Sequence, residues 1–271
     1  MESKIIFLGT AGDNYVISRQ FRASGGILLQ IGDYQFLIDP GPGSLVRASE
    51  YDINYRENTA VIATSADIKH CNDINIVADA MTHEGLDVKG VLVSNEDVVN
   101  GTDSIPPYLT PKHKKFFEKV IIAQPLQKIG IENIELLALP TRSKSPHTFG
   151  LKVFTQDFCL VYTSDTALSK DVAKHYRGAD ILIVNCLLPS QIKSKYNLCS
   201  ADTIKILKAI KPKLALITHF GKKMLEADPL LEARHIQRES SIQTLAAQDG
   251  LSIDPVSYSA KSKQKTLSSF D

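Results

Sequence analysis

VIATSADIKHCNDINIVADAM, residues 61–81, sets an apolar run against a short polar knot and then a segment with helical spacing. The run VIATS is rich in β-branched residues and stops on hydroxyls, as a buried strand does where it reaches the edge of its sheet. From Asn72 onward, Ile74, Ile76, Val77, Ala80 and Met81 approximate one helical face, and Asn72 or Asp73 can cap it. Between the two lies the loop SADIKH, whose purpose decides how the chain is read.

Working outward, KIIFLGT, GGILLQIG and YQFLIDP are short β-rich runs broken by Gly, Asp and Pro, the pattern of an opening meander. Further strands are expected at VKGVLVSN, KVIIAQP, IELLALP, LKVFTQ, FCLVYTS, ADILIVN and KLALITHF, and helices over 169–176, 200–210 and 230–248. Hairpins early and helices interleaved late predict an α/β (α+β) fold of packed sheets with helices outside. A chain of 271 residues, 43% apolar and 23% charged, can bury one substantial core. One domain is expected over residues 1–255, followed by a polar tail, 256–271.

Lys and Arg number 31 against 30 acidic residues, so the formal charge of +1 provides no overall field for gripping a nucleic-acid backbone. No apolar run approaches the ~20 residues that cross a bilayer. The opening MESKIIFLGT shows no basic leader or cleavage site. Cys71, Cys159, Cys186 and Cys199 form no CxxC pair and read as small buried hydrophobes in a reducing compartment, so a cytoplasmic protein is expected.

Polar residues punctuate four strand ends, in VIATS, LALPTRS, LVYTSD and LALITH, where loops on a rigid scaffold commonly build a site. FLGTAG from Phe7, LIDPGPG from Leu37 and ITHFG from Ile217 together resemble the metallo-β-lactamase superfamily, in its ribonuclease Z-like branch. The resemblance runs to about Pro255. It implies a four-layer αββα sandwich with a site along one edge of the two central sheets.

The same resemblance implies an H-x-H-x-D-H loop where this chain has Ser65-Ala66-Asp67-Ile68-Lys69-His70. Ser65 and Asp67 stand at the first cation's histidine positions, Lys69 at the second cation's aspartate position, and Ser143 at a later histidine position. His70, Asp165 and His219 match the pattern, Asp165 as the bridging carboxylate. Asn197 stands where relatives carry a further histidine, and Asp39 where a carboxylate supports the ligands from behind. Intact members hold two cations about 3.5–4 Å apart and open to water, so that a bridging hydroxide attacks an ester, amide or phosphodiester. Neutral serines are poor ligands, so the first position is expected to be dead unless His147 moves in to join Asp67 and Asp165.

The second position keeps three nominal ligands, but Lys69 opposes it. An ammonium roughly 4 Å from a divalent ion costs about 2 kcal/mol in bulk water and about 8 kcal/mol at an effective dielectric of about 20. That corresponds to roughly one to six decades of affinity. Lys69 can instead bridge Asp67 and Asp165 in place of a cation. The expected cofactor is therefore none, or one weakly bound zinc, manganese or iron. The expected function is that of a non-catalytic or altered homologue binding a ligand or partner. The alternative is a phosphodiester or ester hydrolase using one ion at His70, Asp165 and His219.

In the tail, Gln264, Leu267 and Phe270 have the Q-x-x-L-x-x-F spacing that resembles the sliding-clamp peptide. A single tight turn puts Leu267 and Phe270 on one side, ready for an apolar pocket. The partners expected are thus a sliding clamp through the tail and a homo- or hetero-oligomer with a like-folded chain.

Overall fold

The structure is a computed structural model that describes residues 2–103 and 105–259. Gln264, Leu267 and Phe270 lie outside the described residues. Strands β1 (Ser3–Phe7), β2 (Ile27–Ile31) and β3 (Tyr34–Ile38) form the expected antiparallel meander. From β3 the pairing turns parallel through β4 (Asn58–Ala63), β5 (Val91–Ser94) and β6 (Lys119–Ile122).

The second half repeats this order. Strands β7 (Lys128–Ile131), β8 (Ile134–Pro140), β9 (Phe149–Phe154) and β10 (Cys159–Tyr162) are antiparallel. The pairing then runs parallel through β11 (Ile181–Leu188), β13 (Leu214–Thr218) and β14 (Thr244–Ala246), with β12 (Leu198–Cys199) beside β11. Strand β15 (Ser252–Ile253) returns to pair antiparallel with β1, so that among the described residues the sheets have seven and eight strands.

Strand β4 explains the layering. Its alternate residues face opposite ways, as the two-residue period of a strand requires. Ala60 and Ile62 enter the core between the sheets, with Ile5, Phe36, Leu151 and Ile183, while Val61 and Ala63 enter a second core under the helix Ile74–Thr82. On the far sheet Val161, Leu182 and Ile217 meet Ile206, Leu207 and Ile236 of the helices Ser200–Ile210 and Pro229–Ser240. Both faces of each sheet are therefore buried, giving helix, sheet, sheet and helix layers. This is the four-layer αββα sandwich. Val256 and Tyr258, in a final 3₁₀ turn, also pack on the central core. Among the described residues no helix is long and apolar enough to cross a membrane.

Two elements differ from expectation. The helix predicted over 230–248 stops at Ser240, because Ser241 takes a left-handed conformation at φ 61° and Thr244 pairs with Ala215 as part of β14. Parallel pairing to a distant strand overrides the local helical pattern there. A separate short helix, Ile68–Cys71, precedes the expected one, and the side chain of Asp67 caps it by accepting from the Lys69 amide.

Candidate metal centre

The carboxyl ends of β3, β4, β10 and β13 open onto one edge, the usual place for a ligand crevice in parallel sheets. Asp39 follows β3, the loop 64–67 follows β4, Asp165 lies just beyond β10, and His219 follows β13. Asp39, Ser164 and His219 have φ of 54°, 54° and 63°, left-handed values that residues with side chains adopt at a cost. The scaffold over-determines them. At Gly12 a Cβ would stand 2.0 Å from the His219 carbonyl oxygen, so only glycine allows the two loops this approach.

Asp39 gathers several buried groups around its carboxylate. One oxygen accepts from the Thr64 amide at 2.7 Å; the other accepts from the Thr64 hydroxyl at 2.9 Å and the Tyr162 hydroxyl at 2.7 Å, and meets His70 Nδ1 at 2.8 Å. With Nδ1 so held, His70 Nε2 points to Asp165 Oδ2 at 3.2 Å. His219 Nε2 lies 3.3 Å from Asp165 Oδ1, and the two imidazoles stack with centroids 4.8 Å apart. Asn185 Nδ2 donates to the same Oδ1 at 3.1 Å.

Both Nε2 atoms are buried, and neither has the alignment of a hydrogen bond to any partner. Two orphaned imidazole nitrogens converging on one carboxylate, with all three donors within 4.8 Å of one another, form a donor set that fits one divalent cation. Asp39 behind His70 is the supporting carboxylate that such ligands commonly have.

The remaining site residues from the sequence lie around this group. Lys69 turns inward, its side chain 12% exposed, with Nζ 2.5 Å from Asp67 Oδ2 and 3.9 Å from Asp165 Oδ2. Ser65 Oγ accepts from Thr148 Oγ1 at 3.3 Å, and Ser143 Oγ donates to the Ser145 carbonyl at 2.7 Å. Ser65, Asp67, Lys69, Ser143, Asp165 and Asn197 line a cleft of about 500 Å³, within the ~300–1,000 Å³ typical of small-ligand sites. His147 does not join them. Its Nδ1 bonds Asp97 Oδ1 at 2.7 Å, and it borders a neighbouring cavity of about 200 Å³. That bond turns the ring toward the buried carboxylate of Asp97.

Tyr162, Thr64, Asn185 and Asp97 escaped the sequence reading. Asn185 and Asp97 left a trace, as a lone polar residue late in ILIVN and an acid just after VLVS. Thr64 shows only as one of the hydroxyls that end VIATS, and Tyr162 left no trace, since it reads as an ordinary member of its strand.

Electrostatics separate the two histidines. Burial alone would lower the pKa of His70, but the carboxylates of Asp39 and Asp165 outweigh it and lift the ring to about 10. Burial lowers His219 to about 4, Asp165 opposing and the His70 and Lys69 cations reinforcing the fall. Burial would raise Asp165, yet His219, His70 and Lys69 hold it well below the usual carboxylate range. Burial likewise opposes ionisation of Asp67, and Lys69 overcomes it, so that carboxyl is lowered too.

The signs make a prediction for the cation-free protein. A histidine whose folded pKa exceeds the unfolded value of about 6.5 stabilises fully below that pH, and the contribution is lost as pH rises. His70 therefore loses its contribution between about pH 6.5 and about 10. His219, with its depressed pKa, loses stability as pH falls from about 6.5 toward about 4. Thermal unfolding in chelator is expected to peak near pH 6.5; a midpoint still climbing at pH 9 would contradict the assignment.

A family model described as the beta-lactamase superfamily domain matches residues 34–220. The uncharacterized protein MJ1374 of Methanocaldococcus jannaschii is 28% identical over 256 residues, 94% of this chain and 96% of its own. Among solved structures, the metallo-beta-lactamase fold protein YhfI from Bacillus subtilis superposes with a TM-score of 0.77 at 19% identity, covering 94% of this chain and 100% of its own. A diphosphatase of the PhnP family does so at 0.69 and 17% identity, over 93% of this chain and 97% of its own.

Proposed function

Since the chain belongs to the beta-lactamase superfamily, we propose that it is a one-cation member of that hydrolase fold, binding a phosphate-ester ligand without the two-cation hydrolysis of intact members. The observation that carries this reading is the pair of orphaned nitrogens, His70 Nε2 and His219 Nε2, aimed at one carboxylate beside the cleft. The positions for a second set of imidazoles hold Ser65, Asp67 and Ser143.

His70, Asp165 and His219 would hold the ion, which supplies Lewis-acid attraction for a ligand oxygen. Asp39 fixes the His70 ring through Nδ1 and so keeps Nε2 facing inward. Asn185 steadies the Asp165 carboxylate at Oδ1. Tyr196 and Asn197 stand on the cleft wall, offering a ring face and an amide to the rest of the ligand. A phosphate ester is chosen because a similar fold serves a diphosphatase and because the cleft is of small-ligand size.

The test combines metal analysis with turnover. Protein purified without chelator is expected to carry about one equivalent of zinc, manganese or iron, lost in His219→Ala. Inorganic phosphate is expected to raise the unfolding midpoint only when the ion is present, by the usual mass-action linkage. Ion-dependent cleavage of a generic phosphodiester that vanishes in His219→Ala would replace this reading with that of a one-cation hydrolase. Absence of any ion would remove it.

A further inference from the structure

Lys69 places an ammonium in this centre, held between two carboxylates. Its carbonyl packs closely on Gly41, where a Cβ would fall 2.1 Å from the Lys69 oxygen. Its own amide donates to Asp67 Oδ1 at 3.2 Å while its ammonium takes Oδ2. The Asp67 amide in turn donates to Ser65 Oγ at 3.2 Å. The carboxylate and ammonium are thus fixed to each other across one turn of chain.

Asp165 is shared out in a matching way. Oδ1 faces His219 and Asn185; Oδ2 faces His70 and, at 3.9 Å, the ammonium. Its outer oxygen and the Asp67 carboxylate both border the cleft, and the ammonium is in ion-pair range of both. The hydroxyls nearby are committed elsewhere, Ser143 to a carbonyl and Thr148 to Ser65.

We propose that the Lys69 ammonium is this centre's built-in first cation: it holds the space between Asp67 and Asp165, so the site loads a single divalent ion and weakens its grip on that ion. The inference rests on the reading that His70, Asp165 and His219 bind a cation, and it assigns Lys69 the control of how many and how tightly. A fixed positive charge supplied by the chain offsets part of the charge of the two carboxylates without recruiting a second ion, and its repulsion is felt by any divalent ion on Asp165. Arginine, which keeps the charge, should keep the behaviour; a neutral residue should not.

The experiment titrates manganese or zinc into the cation-free full chain and reads stoichiometry and dissociation constant by calorimetry. Wild type and Lys69→Arg are expected to take one equivalent. Lys69→Gln and Lys69→Ala are expected to bind the first ion at least about tenfold more tightly, equivalent to ~1.4 kcal/mol, and to admit a second, weaker one. Thermal unfolding of each variant separates loss of fold from loss of control. One equivalent of unchanged affinity in all four proteins overturns the role of Lys69 while leaving the cation centre intact; two equivalents in wild type do the same. Binding in none of them overturns the cation centre itself.

Discussion

Asp39→Ala is expected to lower the unfolding free energy by about 4 kcal/mol, the largest single-residue loss predicted here, because it strands buried donors and not because it opens a cavity. The lost carboxylate serves the Thr64 amide, the Thr64 hydroxyl, the Tyr162 hydroxyl and His70 Nδ1. Thr64, Tyr162 and His70 are all buried, so bulk water cannot replace the acceptor without entering the core. An unsatisfied buried donor costs roughly 1–3 kcal/mol, and sharing a vacated site with a water recovers part of that sum. For a domain of this size the loss is a fall of about 8–16 °C in the unfolding midpoint. Asp39→Asn preserves the volume and one acceptor oxygen and is expected to lose about half as much. A midpoint for Asp39→Ala within about 2 °C of wild type would show that these donors have other partners.

Asp165→Asn is expected to raise the dissociation constant for zinc or manganese by about 10²–10⁴. The change removes the negative charge that both orphaned nitrogens face, a loss of roughly 3–5 kcal/mol for one member of a buried charged cluster. The asparagine amide would also turn a donor toward His70, His219 or Asn185 Nδ2. His147→Ala is the matched control, since His147 is bonded to Asp97 and stands apart from the cluster. It is expected to leave affinity unchanged within about threefold. Equal losses from both variants, measured by equilibrium dialysis, would place the ion elsewhere.

The layers were legible because strands buried on both faces write themselves as continuous apolar runs ended by polar residues, as in VIATS and LALITH. The cluster of His70, Asp165 and His219 was legible only through family resemblance. Nothing local links positions 70, 165 and 219, which come together because three strands end on one edge. Other features depend on tertiary geometry that no short window encodes. Asp67 looked like a ligand position and also caps a four-residue helix, since one carboxylate can do either until the loop's direction is known. Tyr162 alternates like any core residue of β10, and only the packing of the two sheets carries its hydroxyl to Asp39. The overrun past Ser240 has the same origin, as the register of β14 against β13 is a long-range choice.

The two sheets are wound alike, each beginning as a meander and continuing as parallel crossings. Asp39 stands at the changeover in the first, and Asp165 just past the changeover in the second. The His70 ring is a strut between them, Nδ1 on one carboxylate and Nε2 facing the other. Any molecule that engages Asp165 therefore meets a group seated at the seam where the two halves of the chain abut.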